Sequence, residues 1–406
     1  MADLLSQAAP TAAPQSLPQP EPQPRFTVGG DRLTLLDTGP RRLDALLELI
    51  GSARTSLRLL YYIYADDSAG RRVRQALIEA QARGVRVRLV VDGFGSDDAS
   101  DADFFAPLRD AGVSVCRFEP RFGRQYLLRN HQKLALADAE DAAAARAIIG
   151  GFNVEDDYFG TAADGAWRDL GLLLEGAAAA RIAGYFDGLT QWIGSGRGIG
   201  HLNRSLRRWS EREGALRWLI GGPTKRLSPW ARAVRADMRR AARVDIVAGY
   251  FTPSPTILRR LDRAGRRQAA VRVVTASRSD NNVTIAAARF TYAGLLAKGV
   301  RLFEYRPTKL HTKLYVIDDA VFVGSANFDL RSLFINLEIM LRIEDRAFAD
   351  HLRTYVDGEI AQSEEITPAL YRTRTGILQR AKQLVAYLMI AVADPGVSRG
   401  LNFGID

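Results

Sequence analysis

The sequence predicts an α/β layer protein made of two similar halves. Strand, helix and strand patterns follow one another with crossovers long enough for parallel pairing, the same order returns after residue 244, and a short histidine–lysine motif occurs twice. At 406 residues and 47% hydrophobic content, the chain can fill more than one core. Charged residues at 25% and aromatics at 9% exclude wholesale disorder and collagen-like repeats. The single cysteine, Cys116, excludes an internal disulfide framework and a cysteine-rich zinc module, and suits a reducing compartment. No apolar run reaches the roughly 18 residues of a bilayer-spanning helix, and Met1 is not followed by a secretory signal pattern.

The elements read in order. Residues 1–24, rich in Ala, Pro, Gln and Ser, bury too little apolar surface to fold and form a disordered tail. Arg32–Leu36 is a short strand, Arg41–Ile50 a helix opened by Pro40 and closed by Gly51, and Leu57–Tyr64 a buried strand. Gly70–Arg83 is an amphipathic helix ended by Gly84, and Val85–Val91 alternates valine with arginine as a further strand. In the second half, Val244–Phe251, Val271–Thr275 and Val300–Tyr305 are strands, separated by helices at Pro255–Ala264 and Ile285–Ala297. Between the halves runs an arginine-rich stretch that includes Arg204, Arg207, Arg208, Arg239 and Arg240. It is either a solvated basic connection with one helix or an anion-binding face.

The repeat carries the chemistry. His131-Gln132-Lys133, Asp138 and Gly150-Gly151-Phe152-Asn153 return as His311-Thr312-Lys313, Asp318 and Gly324-Ser325-Ala326-Asn327. His, Lys and Asp recur 180 positions on (131 to 311), Gly and Asn 174 positions on (150 to 324). The first copy therefore holds an extended turn within Glu140–Ala147. Two of the four histidines and two of the six lysines fall in the repeat, in a chain with fifty arginines. Each His-x-Lys leads into an apolar run and reads as a strand, where residues i and i+2 share a face. Asp138 and Asp318 fall at the far ends, suited to turns or to pairing with a cation rather than to chemistry. Phe328–Phe334 reads as a helix start that would aim Ser325 and Asn327 at anionic oxygens. Lysine in place of a second ligand argues against hydrolytic zinc, and Gly151 opposite Ser325 argues against a serine triad. Phosphoryl chemistry fits: one histidine attacks phosphorus, the other protonates the leaving oxygen, and lysines and asparagine amides stabilise the developing charge without a metal or other cofactor.

On these residues the sequence resembles the phospholipase D superfamily, with its paired HxKx4D and G-[GS]-x-N signature, and within it the bacterial cardiolipin synthases of a short class without N-terminal transmembrane helices. The similarity runs from about Arg32 to Arg342 and takes in Tyr61–Tyr64, Trp167-Arg168-Asp169, Ser279-Asp280-Asn281 and Gly324–Glu338. The resemblance implies two α/β/α sandwich halves related by a pseudo-twofold axis, with one active site between them. It implies a phosphohistidine, on His131 with His311 as general acid or with these roles exchanged. It also implies a carboxylate behind each histidine, with Glu338 matching in the second half and Asp169 the candidate in the first. The implied reaction is phosphatidyl transfer from phosphatidylglycerol to a second phospholipid. Hydrolysis to phosphatidic acid, or a phosphodiesterase acting on nucleic acid, remain alternatives.

The expected organisation is a tail over 1–24, a first domain over 25–200, a basic connection over 201–243, a second domain over 244–375 and a C-terminal helix and tail over 376–406. Leu384–Ala393 is ten apolar residues, too short to span a bilayer, and either lies in a membrane interface or packs on the body. The net charge of +10 favours anionic partners, here an anionic membrane surface, while no interleaved aromatic and basic stripe speaks for nucleic acid. The expected location is peripheral, on the cytoplasmic face of a bacterial inner membrane.

Overall fold

In the computed structural model the two patterned regions become two eight-stranded sheets. The structure describes residues 23–390 apart from 102, 120–127, 196–198, 225–226, 254–258, 260–268 and 280. The expected tail before residue 23, most of the helix Pro255–Ala264, Asp280 and the chain after 390 lie outside the described residues.

The first sheet contains β1 (Arg25–Val28), β2 (Asp31–Leu36), β3 (Ser56–Tyr61), β4 (Arg86–Asp92), β5 (Ser114–Phe118), β6 (Leu134–Ala137), β7 (Arg146–Gly150) and β8 (Gly171–Glu175). The second contains β9 (Leu216–Gly221), β10 (Arg243–Ala248), β11 (Ala270–Ala276), β12 (Arg301–Tyr305), β13 (Lys313–Ile317), β14 (Ala320–Gly324), β15 (Glu338–Glu344) and β16 (Ser363–Glu365). The spatial order β2-β8-β7-β6-β3-β4-β5 of one sheet recurs in the other as β9-β15-β14-β13-β10-β11-β12. Among the named strands β3–β4–β5 and β10–β11–β12 pair in parallel, β3 and β4 across the expected helical crossover; the strands that carry the motifs pair antiparallel.

Strand alternation builds three layers of core. Leu134 and Leu136 point into a central core together with Leu314, Val316 and Val323 of the other sheet, whereas Ala135 and Ala137 turn to an outer core under the helices Gly39–Ser52 and Ser68–Ala82. Helix Ser68–Ala82 starts where the Asp67 carboxylate accepts the Gly70 N–H at 2.8 Å, and buries Ala69, Val73, Leu77 and Ala80.

The stretch over 201–243, expected to be a connection, contains β9, which pairs antiparallel with β15 and occupies the place that β2 has in the first half. The arginines conceal this strand in the sequence, but Leu216, Trp218 and Ile220 alternate inward to the central core, while Arg204, Arg207, Arg208, Arg239 and Arg240 are exposed. At the other end, helix Ile377–Leu388 packs on helix Asn282–Leu296, with the Phe290 and Tyr387 rings 5.0 Å apart, yet leaves an apolar outer face in solvent.

Asp138 and Asp318 lie in the turns after β6 and β13 with φ of +53° and +47°. Asp138 accepts N–H groups of Arg54 and Thr55 at 2.9 and 2.7 Å, and Asp318 those of Ala242 and Arg243 at 3.0 and 2.9 Å. Each therefore ties the end of a motif strand to the start of its neighbour. Asp318→Ala should lower stability by about 1–3 kcal/mol, because two backbone donors lose their acceptor and alanine strains the left-handed turn. Asp318→Asn, which tolerates that turn and still accepts, should recover most of the loss in thermal unfolding. An unchanged melting temperature in the alanine variant would contradict this role.

Candidate active site

The histidines precede their strands rather than lying on them. His131 comes before β6, which begins at Leu134, and His311 before β13, which begins at Lys313. Their backbone bonds go to the opposite half. The His131 N–H donates to the Leu337 carbonyl at 3.0 Å, and the His311 N–H to the Arg168 carbonyl at 2.7 Å. The next residues on those partner segments are Glu338 and Asp169. Each carboxylate therefore meets the histidine of the other half.

Asp169 Oδ2 is 2.6 Å from His311 Nδ1, and both Glu338 oxygens are 3.1 Å from His131 Nδ1. A carboxylate only accepts, so Nδ1 carries the proton in each ring and Nε2 keeps its lone pair. Both carboxylates have no solvent exposure. Glu338 also accepts the hydroxyls of Ser325 at 2.5 Å and Ser332 at 2.7 Å. Asp169 has no serine counterpart: a Cβ on Gly151 would stand 2.4 Å from Asp169 Oδ1. The difference between Gly151 and Ser325 thus follows from how closely each carboxylate approaches. Arg42, buried in helix Gly39–Ser52, donates to the backbone carbonyls of Asp169 at 2.5 Å and Tyr158 at 2.7 Å, fixing the first-half carboxylate from behind.

Lys133 and Lys313 are buried, and each ammonium donates to the carbonyl of the histidine two residues before it. Burial, together with the charge of Lys313, pulls Lys133 down to about 7. Burial, with the charge of Lys313, pulls His311 down to about 3 against the opposing pull of Asp169, and burial with Lys133 lowers His131. Both imidazoles are therefore neutral at pH 7. An anionic phosphodiester arriving beside the rings is a charge that would favour a proton on one of them.

Both imidazoles line one cavity of about 370 Å³, with Asn153, Asn327 and the rings of Tyr62, Tyr158, Trp167 and Tyr250. Three of these rings enclose His311, with centroids 5.2 Å away for Tyr158, 5.3 Å for Trp167 and 6.3 Å for Tyr250. Asn153 accepts the Ile63 N–H at 3.2 Å and donates to the Tyr158 hydroxyl at 3.0 Å. Asn327 Oδ1 has no hydrogen-bond partner among the described residues. The structure thus gathers His131, Lys133, Asn153, Asp169, His311, Lys313, Ser325, Asn327 and Glu338 around one centre. Asp138 and Asp318 do not line it. The expected anion-binding helix start is also corrected: helix Leu330–Phe334 has five residues, and its N-terminus is capped by the Asp329 carboxylate, which accepts the Ser332 N–H at 2.8 Å. The roles of Ser332, Arg42 and Tyr250 escape sequence reasoning. Ser332 belongs to no repeat, and only the folded turn carries its hydroxyl back to Glu338.

The sequence model of the family described as cardiolipin synthase, PLD-like domain, matches residues 46–188 and 235–359. Cardiolipin synthase A of Pseudomonas aeruginosa is 31% identical over 350 residues, covering 84% of this chain and 69% of the relative. Cardiolipin synthase 1 of Bacillus anthracis is 28% identical over 380 residues, covering 88% and 73%. The crystal structure of phosphatidylserine synthase from Haemophilus influenzae shares the fold, with a TM-score of 0.68 at 12% identity over 94% of this chain and 97% of that one.

Ser332→Ala removes one of the two hydroxyls that share the charge of Glu338. Phosphodiester turnover should fall by about 10–100-fold, as expected for a group that orients a catalytic side chain. The freed carboxylate should also hold the His131 proton more tightly, raising the pKa of that ring in NMR titration. A slower enzyme with an unmoved His131 titration would assign Ser332 to the fold alone.

Proposed function

The chain belongs to the phospholipase D superfamily, in its cardiolipin synthase-like branch, and on that premise we propose that it makes cardiolipin from two phosphatidylglycerol molecules, or from phosphatidylglycerol and another phospholipid, through a phosphohistidine. The observation that carries this reading is the pair of imidazoles that line one cavity, each backed by the carboxylate of the opposite half.

His131 is the more exposed ring, with 13% side-chain exposure against 5% for His311, and serves as nucleophile. Its Nε2 attacks the phosphorus of phosphatidylglycerol, and the bond to the glycerol headgroup breaks. The departing oxygen takes a proton from His311, whose imidazolium is stabilised by Asp169. Lys133, Lys313, Asn153 and Asn327 offset the charge that builds on the phosphoryl oxygens, an effect worth about 10²–10³ in rate for each well-placed donor. His311 then removes the proton from a glycerol hydroxyl of the second lipid. That oxygen attacks the phosphatidyl-histidine, forming cardiolipin and freeing His131. Water in the acceptor's place would give phosphatidic acid; the aromatic wall around His311 favours a lipid alcohol. The enzyme would work peripherally, on the cytoplasmic face of a bacterial inner membrane.

Incubation with phosphatidylglycerol vesicles, followed by mass spectrometry of the lipids, tests the reading. Cardiolipin with free glycerol is the expected outcome; phosphatidic acid would make the protein a hydrolase, and unchanged lipid would remove the lipid assignment. His131→Ala and His311→Ala should each reduce transfer by about 10³-fold or more. Retained activity in either would refute the two-histidine scheme.

A pH profile follows from Lys133. Its ammonium is present below about 7 in the free enzyme and lost above it. Accordingly the pH dependence of kcat/KM should steepen past neutrality, the loss of this ammonium adding a decline that approaches about tenfold per unit. Lys133→Arg, charged throughout, should flatten that limb.

A further inference from the structure

Eight large hydrophobic side chains stand exposed among the described residues, and their distribution is uneven. Six belong to helix Ile377–Leu388 and the residue that follows it, including Leu378 at 72%, Val385 at 57% and Met389 at 56% exposure. The next residue, Ile390, lines the catalytic cavity. Val283 lies between Asn281 and Thr284, which line the same cavity. Phe94, on the first half, lies 4.3 Å under the Arg129 guanidinium, two residues before His131, and its neighbour Gly95 is built against Tyr62 of the cavity wall. The C-terminal end of the helix, Val283 and Phe94 therefore belong to segments that reach the rim of the catalytic cavity, and the helix extends its apolar face outward from there.

Soluble surfaces rarely gather apolar side chains in this way without a partner. The chemistry of the rim identifies the partner. Helix Ile377–Leu388 carries Arg380 and Lys382 and no acidic residue, and the exposed Phe94 is paired with a cation. Apolar residues bordered by positive charge match a bilayer surface with anionic headgroups, where such helices sink about 5–10 Å to the acyl boundary. Between this helix and helix Asn282–Leu296 runs an open apolar groove of about 390 Å³, walled by Phe290, Leu295 and Tyr387 and edged by Lys298.

We propose that this rim is the membrane-docking face: Phe94 on one side and the outer face of helix Ile377–Leu388 on the other seat the cavity mouth at the headgroup plane of an anionic bilayer. The proposal rests on the phosphatidyl-transfer reading and adds how the site meets its substrate. A lipid phosphate then rises into the cavity while its acyl chains remain in the bilayer.

The test uses the full chain with Val385→Glu and Met389→Glu together, and separately with Phe94→Ser. Co-sedimentation is measured with vesicles of phosphatidylglycerol and phosphatidylcholine in equal parts, and turnover with dihexanoyl phosphatidylglycerol dissolved below its micelle concentration. Vesicle binding should weaken by about tenfold or more in both variants, with turnover of the dissolved lipid within about twofold of the parent. The dissolved-lipid assay reports correct folding, and the milder Phe94→Ser decides should the double variant lose it. Undiminished vesicle binding by active variants would overturn the docking face and leave the transfer reading intact. A parent that binds vesicles but turns over neither form of lipid would overturn the transfer reading while upholding the docking face. A lipid-free parent dimer that the substitutions split would name a second copy as the partner and overturn the proposal.

Discussion

Two buried carboxylates hold two imidazoles that belong to the other half of the molecule, and the rest of the architecture serves that exchange. Asp169 and Glu338 each sit one residue past a backbone carbonyl that binds the opposite histidine N–H. The same short segment therefore fixes both the main chain and the ring of its partner histidine. With Lys133 and Lys313 buried close by, the centre gathers carboxylates and basic groups out of water. Removing one member of such a set strands its partner in a poorly solvating interior, at a cost of about 3–5 kcal/mol. A single half would leave its carboxylate and its histidine unmatched, so the catalytic centre exists only where the halves meet.

Within this twofold arrangement the halves are not equivalent. Glu338 shares its charge with two serine hydroxyls, whereas Asp169 crowds the bare backbone of Gly151 and makes a shorter bond to its imidazole. His311 is enclosed by aromatic rings while His131 is the more open. The proposed two-step transfer would use such a division, with one ring forming and breaking a bond to phosphorus and the other moving protons.

Much of the site was legible because the repeat is written in rare residues. Histidine and lysine are scarce in this chain, so a recurring His-x-Lys stands out against the arginine background. Strands β2, β3, β4, β6 and β10 to β13 were legible from alternation and apolar runs, whereas the arginines of β9 mask its inward row Leu216, Trp218 and Ile220. The turn role of Asp138 and Asp318 was legible from position, and their left-handed backbone supplies the mechanism. Ser332 and Arg42 were not, since a hydroxyl on a one-turn helix and an arginine inside an amphipathic helix carry no periodic signal.

By itself the sequence determined the α/β class, the two similar halves and the residue types of the chemistry. These follow from local periodicity and from spacing along the chain, which survive any arrangement of the elements. Which carboxylate backs which histidine, why one motif needs glycine where the other has serine, and which apolar residues border the cavity were decided only by the tertiary structure. Those relations join residues up to 207 positions apart. They depend on the packing of the two sheets against each other, and no pattern along a single segment encodes it.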